Sequence, residues 1–309
     1  MQVPYLTTSS QTSSKFYMDS AIGPIPKDCR LGLSYEVVMS SSPTPEKLQY
    51  SSVYGLVNSW RFGRSLGIDP IGIISTCSFN CVYCQLGNIQ QKTTQRQIFV
   101  PTSQIISDLQ RFVRREVPID VVTISGSGEP TLALNLGEIL AATKEIIKQP
   151  KLVLTNSSLL GDQSVRDALA LADIVAVKLD AVSSNQLRQI NQPSETIDLP
   201  DILRGIEQFR QEYQGCMVIQ TMVLSSWTAE MQAHYIHLIK SLQPDEIKLD
   251  IPSRFRVLVD QLESRDDEIV ESRCYSCQNL QSISAEELSA MAQKIYNVTK
   301  KPVRYAPIA

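Results

Sequence analysis

The chain has 309 residues, 43% of them apolar and 20% charged, with a formal net charge of −3 at pH 7. That length and apolar share suit one large globular domain or two ordinary ones, and the slightly acidic balance excludes the overall basic footprint of a nucleic-acid binder. Seven cysteines, an odd number, with no secretory leader and no apolar run near about 18 residues, exclude a small disulfide framework and predict a soluble protein of a reducing, cytoplasmic compartment without a membrane partner.

Residues 1–50 are weakly patterned and read as a partly irregular N-terminal extension. Thr7-Thr8-Ser9-Ser10 and Ser40-Ser41-Ser42-Pro43 are turn-prone tracts, and Cys29 stands alone among them. From about residue 50 strands alternate with helices. Ile71–Ser75 is predicted as the first strand. A helix over Ser103–Arg115 places Ile105, Ile106, Leu109 and Val113 close to one face, and its Arg111, Arg114 and Arg115 read as a solvated face. The β-branched run Asp120–Ser125 predicts the second strand, followed by Gly126-Ser127-Gly128-Glu129-Pro130. A helix over Leu136–Lys148 leads to a strand at Leu152–Leu154 ending in Thr155-Asn156-Ser157. Strands at Asp173–Leu179, Met217–Leu224 and Glu246–Leu249 then alternate with helices near 163–171, 200–213 and 228–241; His234 and His237 on the last of these read as surface residues.

Such alternation predicts an α/β fold of right-handed parallel βαβ units. Six units give an open, partial (β/α)6 TIM-like barrel over residues 51–255. A C-terminal extension, 256–309, carries Cys274-Tyr275-Ser276-Cys277 and a terminal helix expected to pack on the barrel.

The most informative stretch is Cys77-Ser78-Phe79-Asn80-Cys81-Val82-Tyr83-Cys84, three cysteines at x3 and x2 spacing within eight residues. Thiolates are the usual protein ligands of iron–sulfur clusters, and three of them on a four-iron cluster leave one iron open to substrate or cofactor. Structural zinc prefers four ligands in paired sets, and no fourth lies nearby. Ferredoxins space their cysteines differently.

Cys-x3-Cys-x2-Cys with an aromatic residue, here Tyr83, before the last cysteine resembles the signature of radical S-adenosylmethionine (SAM) enzymes. The run Arg61-Phe62-Gly63-Arg64-Ser65-Leu66-Gly67-Ile68-Asp69-Pro70 and then Cys84-Gln85-Leu86-Gly87 resembles the branch holding the wyosine-base (tRNA-modifying) synthases and uncharacterised iron–sulfur oxidoreductase relatives. The resemblance covers about residues 54–255. It implies a [4Fe-4S] cluster on Cys77, Cys81 and Cys84. It further implies SAM as cofactor, reductive cleavage to a 5′-deoxyadenosyl radical, and a reducing partner such as flavodoxin or ferredoxin. Tyr83 is then expected near the adenine.

In α/β barrels the site lies at the C-terminal strand ends. There Gly126 and Gly128 let backbone groups approach a ligand, and Glu129 can accept hydrogen bonds from an ammonium; the resemblance implies that this stretch holds the SAM amino group, with Ser127 where a glycine is usual. Thr155, Asn156 and Ser157 offer hydroxyl and amide groups for a ribose or carboxylate, or else cap a helix; Ser157 stands where the family commonly has glycine. The echo Val177-Lys178-Leu179-Asp180 and Ile247-Lys248-Leu249-Asp250 places Lys178 with Asp180, and Lys248 with Asp250, on one face of each strand. These four are the catalytic candidates, as ligands for a SAM or substrate carboxylate, with a Lys able to form a Schiff base; mutual ion pairing is the alternative. Gln220 and Arg254 are placed to reach the same cavity.

Two or three ligands, Cys274 and Cys277 with or without Cys29 (by default an inert thiol), could hold a second, auxiliary iron–sulfur cluster; a redox dithiol, a zinc site and a pair of bystander thiols are the alternatives. Two other classes compete. A ferredoxin-like electron carrier would need no SAM pocket, and a zinc-stabilised RNA-binding module would need a basic chain. The acidic balance makes a small molecule or protein at least as good a substrate as tRNA, and both oxidoreductase and transferase chemistry fit.

Overall fold

The computed structural model of the protein describes residues 50–115, 117–252, 256–257, 277–278 and 283–307. The N-terminal extension, Cys29, Arg254 and Cys274 lie outside these residues. Of Cys277, only the antiparallel pairing of Cys277–Gln278 with Arg256–Val257 is described.

Eight strands form one sheet in sequential order: β1 (Val53–Ser59), β2 (Gly63–Ile68), β3 (Val121–Ile124), β4 (Lys151–Thr155), β5 (Ile174–Lys178), β6 (Cys216–Met222), β7 (Glu246–Asp250) and β8 (Val303–Tyr305). β1 meets β2 antiparallel, and every later neighbour pair is parallel. Helices α1 (Thr102–Val113), α2 (Leu136–Ile146), α3 (Gln163–Leu169), α4 (Ser184–Ile190), α5 (Leu199–Glu212), α6 (Ala229–Leu242) and α7 (Ala285–Thr299) connect the strands. The result is the expected mixed α/β architecture, a curled, mainly parallel sheet of partial TIM-barrel type.

Strand alternation divides the sheet into two faces. Leu66, Ile68, Val122, Ile124, Val153, Val175, Val177, Ile219, Ile247 and Leu249 share one continuous core with helix residues such as Ile105, Leu109, Ile139, Ile206 and Ile239. On the other face Val121, Leu152, Ala176 and Val218 form a separate small cluster, against which Phe62 from the β1–β2 turn packs. The same register carries Lys178, Gln220 and Lys248 side by side across β5, β6 and β7 on this second face. Helix starts follow from side-chain caps, each worth about 1 kcal/mol. Asp162, Ser183 and Thr228 accept backbone N–H bonds at the starts of α3, α4 and α6, and Ser284 with Glu287 forms a capping box on α7.

The expected first strand, Ile71–Ser75, is not a strand. The barrel's first parallel strand is β2, and Ile73 and Ile74 are more than half exposed. Pro70 supplies no ladder donor, Gly72 is left-handed at φ +98°, and the Asp69 carboxylate takes the N–H groups of Ile71 and Gly72 at 2.9 and 3.2 Å. Those bonds form a side-chain turn in place of a ladder.

Candidate active site at the strand ends

Asp69, just past β2, organises the entrance to the cysteine loop. It is fully buried, and besides Ile71 and Gly72 it accepts from the Ser127 N–H at 3.2 Å and the Ser127 hydroxyl at 2.8 Å. Gly126, at φ +132°, faces this carboxylate, where any Cβ would collide. Asp69 thus ties the end of β2 to the glycine loop after β3. Replacing it by alanine strands several buried donors at once, and Asp69→Ala is expected to lose about 3 kcal/mol. Urea unfolding should show this as a lower midpoint at unchanged slope.

The cysteine loop is then stitched on both sides. On one, the Thr76 N–H donates to the Ser127 carbonyl at 3.0 Å, and the Thr76 carbonyl accepts from Glu129 N–H at 3.1 Å. On the other, N–H groups of Asn80 and Val82 donate to the carbonyls of Asn191 and Ile190 at the end of α4, at 3.0 and 2.9 Å. Cys77, Cys81 and Cys84 are half-buried, and none forms a disulfide. Burial pushes the Cys77 thiol well up, and the nearby Glu129 and Cys81 add to it. Burial also takes Cys81 up to about 11, against the opposing pull of Lys178. Metal loading of such thiols releases protons.

Two asparagines face these sulfurs. The Asn156 side-chain N–H2 lies 3.5 Å from Cys77 Sγ and 2.8 Å from the Ser78 hydroxyl. That of Asn191 lies 3.4 Å from Cys81 Sγ and 2.7 Å from Asp180. Among the described residues, no three Cys, His, Asp or Glu side chains converge as ligands of a single ion. Thiolates of a four-iron cluster each bond a different iron, so a cluster asks only that the three thiols line one loop. A set of three thiols with amide donors beside them suits iron–sulfur chemistry.

Glu129, expected to meet an ammonium, is turned inward. One carboxylate oxygen accepts from Thr131 N–H (3.0 Å), Thr131 hydroxyl (2.7 Å) and Thr155 hydroxyl (2.7 Å); the other accepts from Asn156 N–H at 2.6 Å. Burial raises its pKa, opposed by these bonds. Thr155 and Asn156 therefore serve the bracing of β3 to β4. Neither caps α3, a role taken by Asp162. Ser157 occupies the left-handed region at φ +70°, which explains why a glycine suits that position.

Tyr83 also points into the protein. Its hydroxyl bonds Asp180, and burial first, then Asp180, raises its pKa. Asp180 further accepts from Met222 N–H at 2.8 Å. Lys178 lies 3.9 Å from Asp180 and 5.1 Å from the centre of the Tyr83 ring. Burial pushes its pKa down, but the charges of Asp180 first and Cys81 next outweigh that and leave it raised.

The second Lys–Asp repeat is not a pair. Lys248 donates to the Arg61 carbonyl at 2.7 Å, lies 3.5 Å from Glu246 and sits over the Phe62 ring, while Asp250 binds Arg61 at 2.9 Å. The β1–β2 turn, bearing Arg61 and Phe62, crosses onto this face and takes both partners. Gln220 is buried between the two lysine strands. Asp69, Arg61 and Asn191 were not among the candidates drawn from sequence. Asp69-Pro70 carries a turn signal and Arg61 opens the run that carries the branch resemblance, whereas Asn191 acts through contacts distant in sequence and leaves no local mark.

A partial barrel whose strand ends carry a three-cysteine loop braced on a glycine loop defines the class: an enzyme that works at the C-terminal mouth of a barrel. A sequence model of the radical SAM superfamily matches residues 71–239. A UPF0026 protein of Synechocystis is 47% identical over 268 residues, 84% of this chain and 97% of that protein. A UPF0026 protein of Methanocaldococcus jannaschii is 34% identical over 65% of this chain and 63% of its own length. Among solved structures, SuiB of Streptococcus suis bound to S-adenosylmethionine superposes with a TM-score of 0.54 at 15% identity, over 79% of this chain and 50% of that one. The chain thus spans half the length of that structural relative, and the likeness concerns the fold. The protein belongs to the radical SAM superfamily, and within it to the family of UPF0026 proteins. Membership makes it an enzyme of that superfamily and implies a [4Fe-4S] cluster and SAM.

Proposed function

We propose that Cys77, Cys81 and Cys84 hold the cluster, that SAM binds between this loop and the ends of β3–β5, and that a substrate on the concave face loses a hydrogen atom. When bound, the cluster supplies the electron that cleaves SAM to a hydrogen-abstracting radical. The chain's own residues hold and orient. Asp69, Gly126, Gly128 and Glu129 fix the loop geometry. Lys178, in place at the end of β5, offers its cation to a carboxylate of SAM or of the substrate. Asp180, with Tyr83 and Asn191, holds that lysine's end of the site in place. Gln220 and the Arg61–Asp250 pair line the substrate side above the apolar floor made by Phe62. Keeping water from such a site is the protein's main further task.

The observation that carries this reading is the double stitching of the cysteine loop, to Ser127–Glu129 on one side and to the end of α4 on the other. We further assign reduction to a flavodoxin- or ferredoxin-type partner in the cytoplasm, and an auxiliary cluster to the pair Cys274 and Cys277. The substrate is a small molecule or a protein, tRNA being disfavoured by the net charge of −3.

Anaerobic reconstitution with iron and sulfide tests the core of this. The wild type should show a reduced-cluster EPR signal that changes on adding SAM and should release 5′-deoxyadenosine; Cys77→Ala, Cys81→Ala and Cys84→Ala should lose both. A cluster signal indifferent to SAM, without cleavage, would overturn the SAM site proposed between this loop and the strand ends. Cys274→Ala/Cys277→Ala should lower iron content from about eight to about four per chain if these cysteines hold a second four-iron cluster.

A further inference from the structure

We propose that Asn156 and Asn191 are positioning residues that donate side-chain N–H bonds to the ligating sulfurs of Cys77 and Cys81 and so set the cluster's reduction potential. This deepens the reading above and rests on it. The two amides approach different sulfurs from opposite sides of the loop, at 3.5 and 3.4 Å, within the range of N–H···S bonding. Each is fixed by other polar partners. Asn156 is buried at the end of β4, with its N–H2 on Ser78 and its carbonyl oxygen accepting the Ser158 N–H at 3.0 Å. Asn191, 1% exposed at the end of α4, is held by Asp180 and lies 3.3 Å from the Tyr83 hydroxyl. Its side-chain amide oxygen has no hydrogen-bond partner, so the amide orientation is set by what its N–H2 group donates to.

The sign follows from charge. Reduction adds a negative charge to a cluster whose sulfurs already carry most of it, and a donor aimed at a sulfur stabilises the reduced form more than the oxidised one. Both asparagines therefore raise the potential. A purely structural role predicts the opposite response to mutation, because a loosened loop admits water, and water also favours the more highly charged reduced cluster. The direction of the shift separates the two.

The measurement is an EPR-monitored redox titration, without SAM, of reconstituted wild type, Asn191→Leu, Asn156→Leu and the double variant, each with iron counted. Removing both donors should lower the reduced-to-oxidised ratio at a fixed poise about tenfold, a midpoint about 59 mV more negative for one electron. An unchanged or more positive midpoint at full iron content would overturn the proposal while leaving the radical SAM reading intact. Failure of the wild type itself to take up iron would overturn both. If the leucine variants do not load, wild-type protein labelled with 15N only in asparagine side chains decides the matter. A 15N hyperfine coupling to the reduced cluster is expected, and its absence would be fatal.

Discussion

Gly128→Ala is expected to abolish cluster loading and to lower stability by about 3 kcal/mol, the upper end of what overpacking of a tight interior costs. A Cβ at this position would lie inside the van der Waals envelope of the Thr76 carbonyl oxygen and carbon. Both groups are backbone, so no side chain can turn aside. Thr76 and Gly128 form a parallel bridge, flanked by the bonds from Thr76 N–H to Ser127 and from Glu129 N–H to Thr76. Any shift that accommodates the methyl breaks these bonds, and Thr76 immediately precedes Cys77. Iron per chain after reconstitution, measured beside the denaturant midpoint, checks both halves. A variant that folds as well as wild type and binds a full cluster would show that the glycine loop does not position the cysteines. Part of the role of this glycine is thus packing: the motif that resembles a SAM-binding stretch is also the seat on which the cysteine loop rests.

That double use marks the limit of what the sequence could disclose. The buried strands β3–β7 were legible because parallel strands covered on both faces become β-branched and aliphatic runs. The cysteine loop was legible because three thiols at that spacing serve few other purposes. β2 was not, because Gly63-Arg64-Ser65-Leu66-Gly67-Ile68 carries small residues on its concave face. There the Tyr54 ring lies against Gly67, and Ser65 bonds Thr123 at 2.5 Å. The apolar Ile71–Ser75 beside it offered a better-looking strand and was the wrong one. β8 is three residues long after a helix, too short for any periodic signal. Pairing was harder still. The echo of Lys-x-Asp on β5 and β7 suggested two like pairs, but Arg61, almost 190 residues before Asp250, claims the second aspartate. Long-range competition of this kind has no trace in local pattern. It also leaves the two repeats unlike in chemistry, since burial lowers the Lys248 pKa against the pull of Glu246 while Lys178 stays raised beside Asp180. Of the two, Lys178 is the better placed to meet an anion.

Glu129→Gln is expected to act on the fold before it acts on the cofactor. Four donors, three from Thr131 and Thr155 on one oxygen and the Asn156 N–H on the other, surround the carboxylate. An amide in its place has one oxygen and one N–H2 group, so either orientation sets two donors against each other in a buried setting. Losing hydrogen bonds to a charged acceptor and leaving a donor unsatisfied should cost about 2–3 kcal/mol. In a chain of this size that lowers the melting temperature by roughly 5 °C. The loss should appear in full in the cluster-free protein, because the brace between β3 and β4 exists before any ligand arrives. With cluster and SAM present, Asn156 would follow the weakened brace away from Cys77, and the SAM-induced EPR change should need more SAM to saturate. If instead the cluster-free variant melted with wild type while SAM binding disappeared, Glu129 would be a cofactor ligand alone, and the bracing role assigned to it here would be wrong. The inward carboxylate with all four donors in place favours the first outcome: this residue builds the wall against which the cofactor is held.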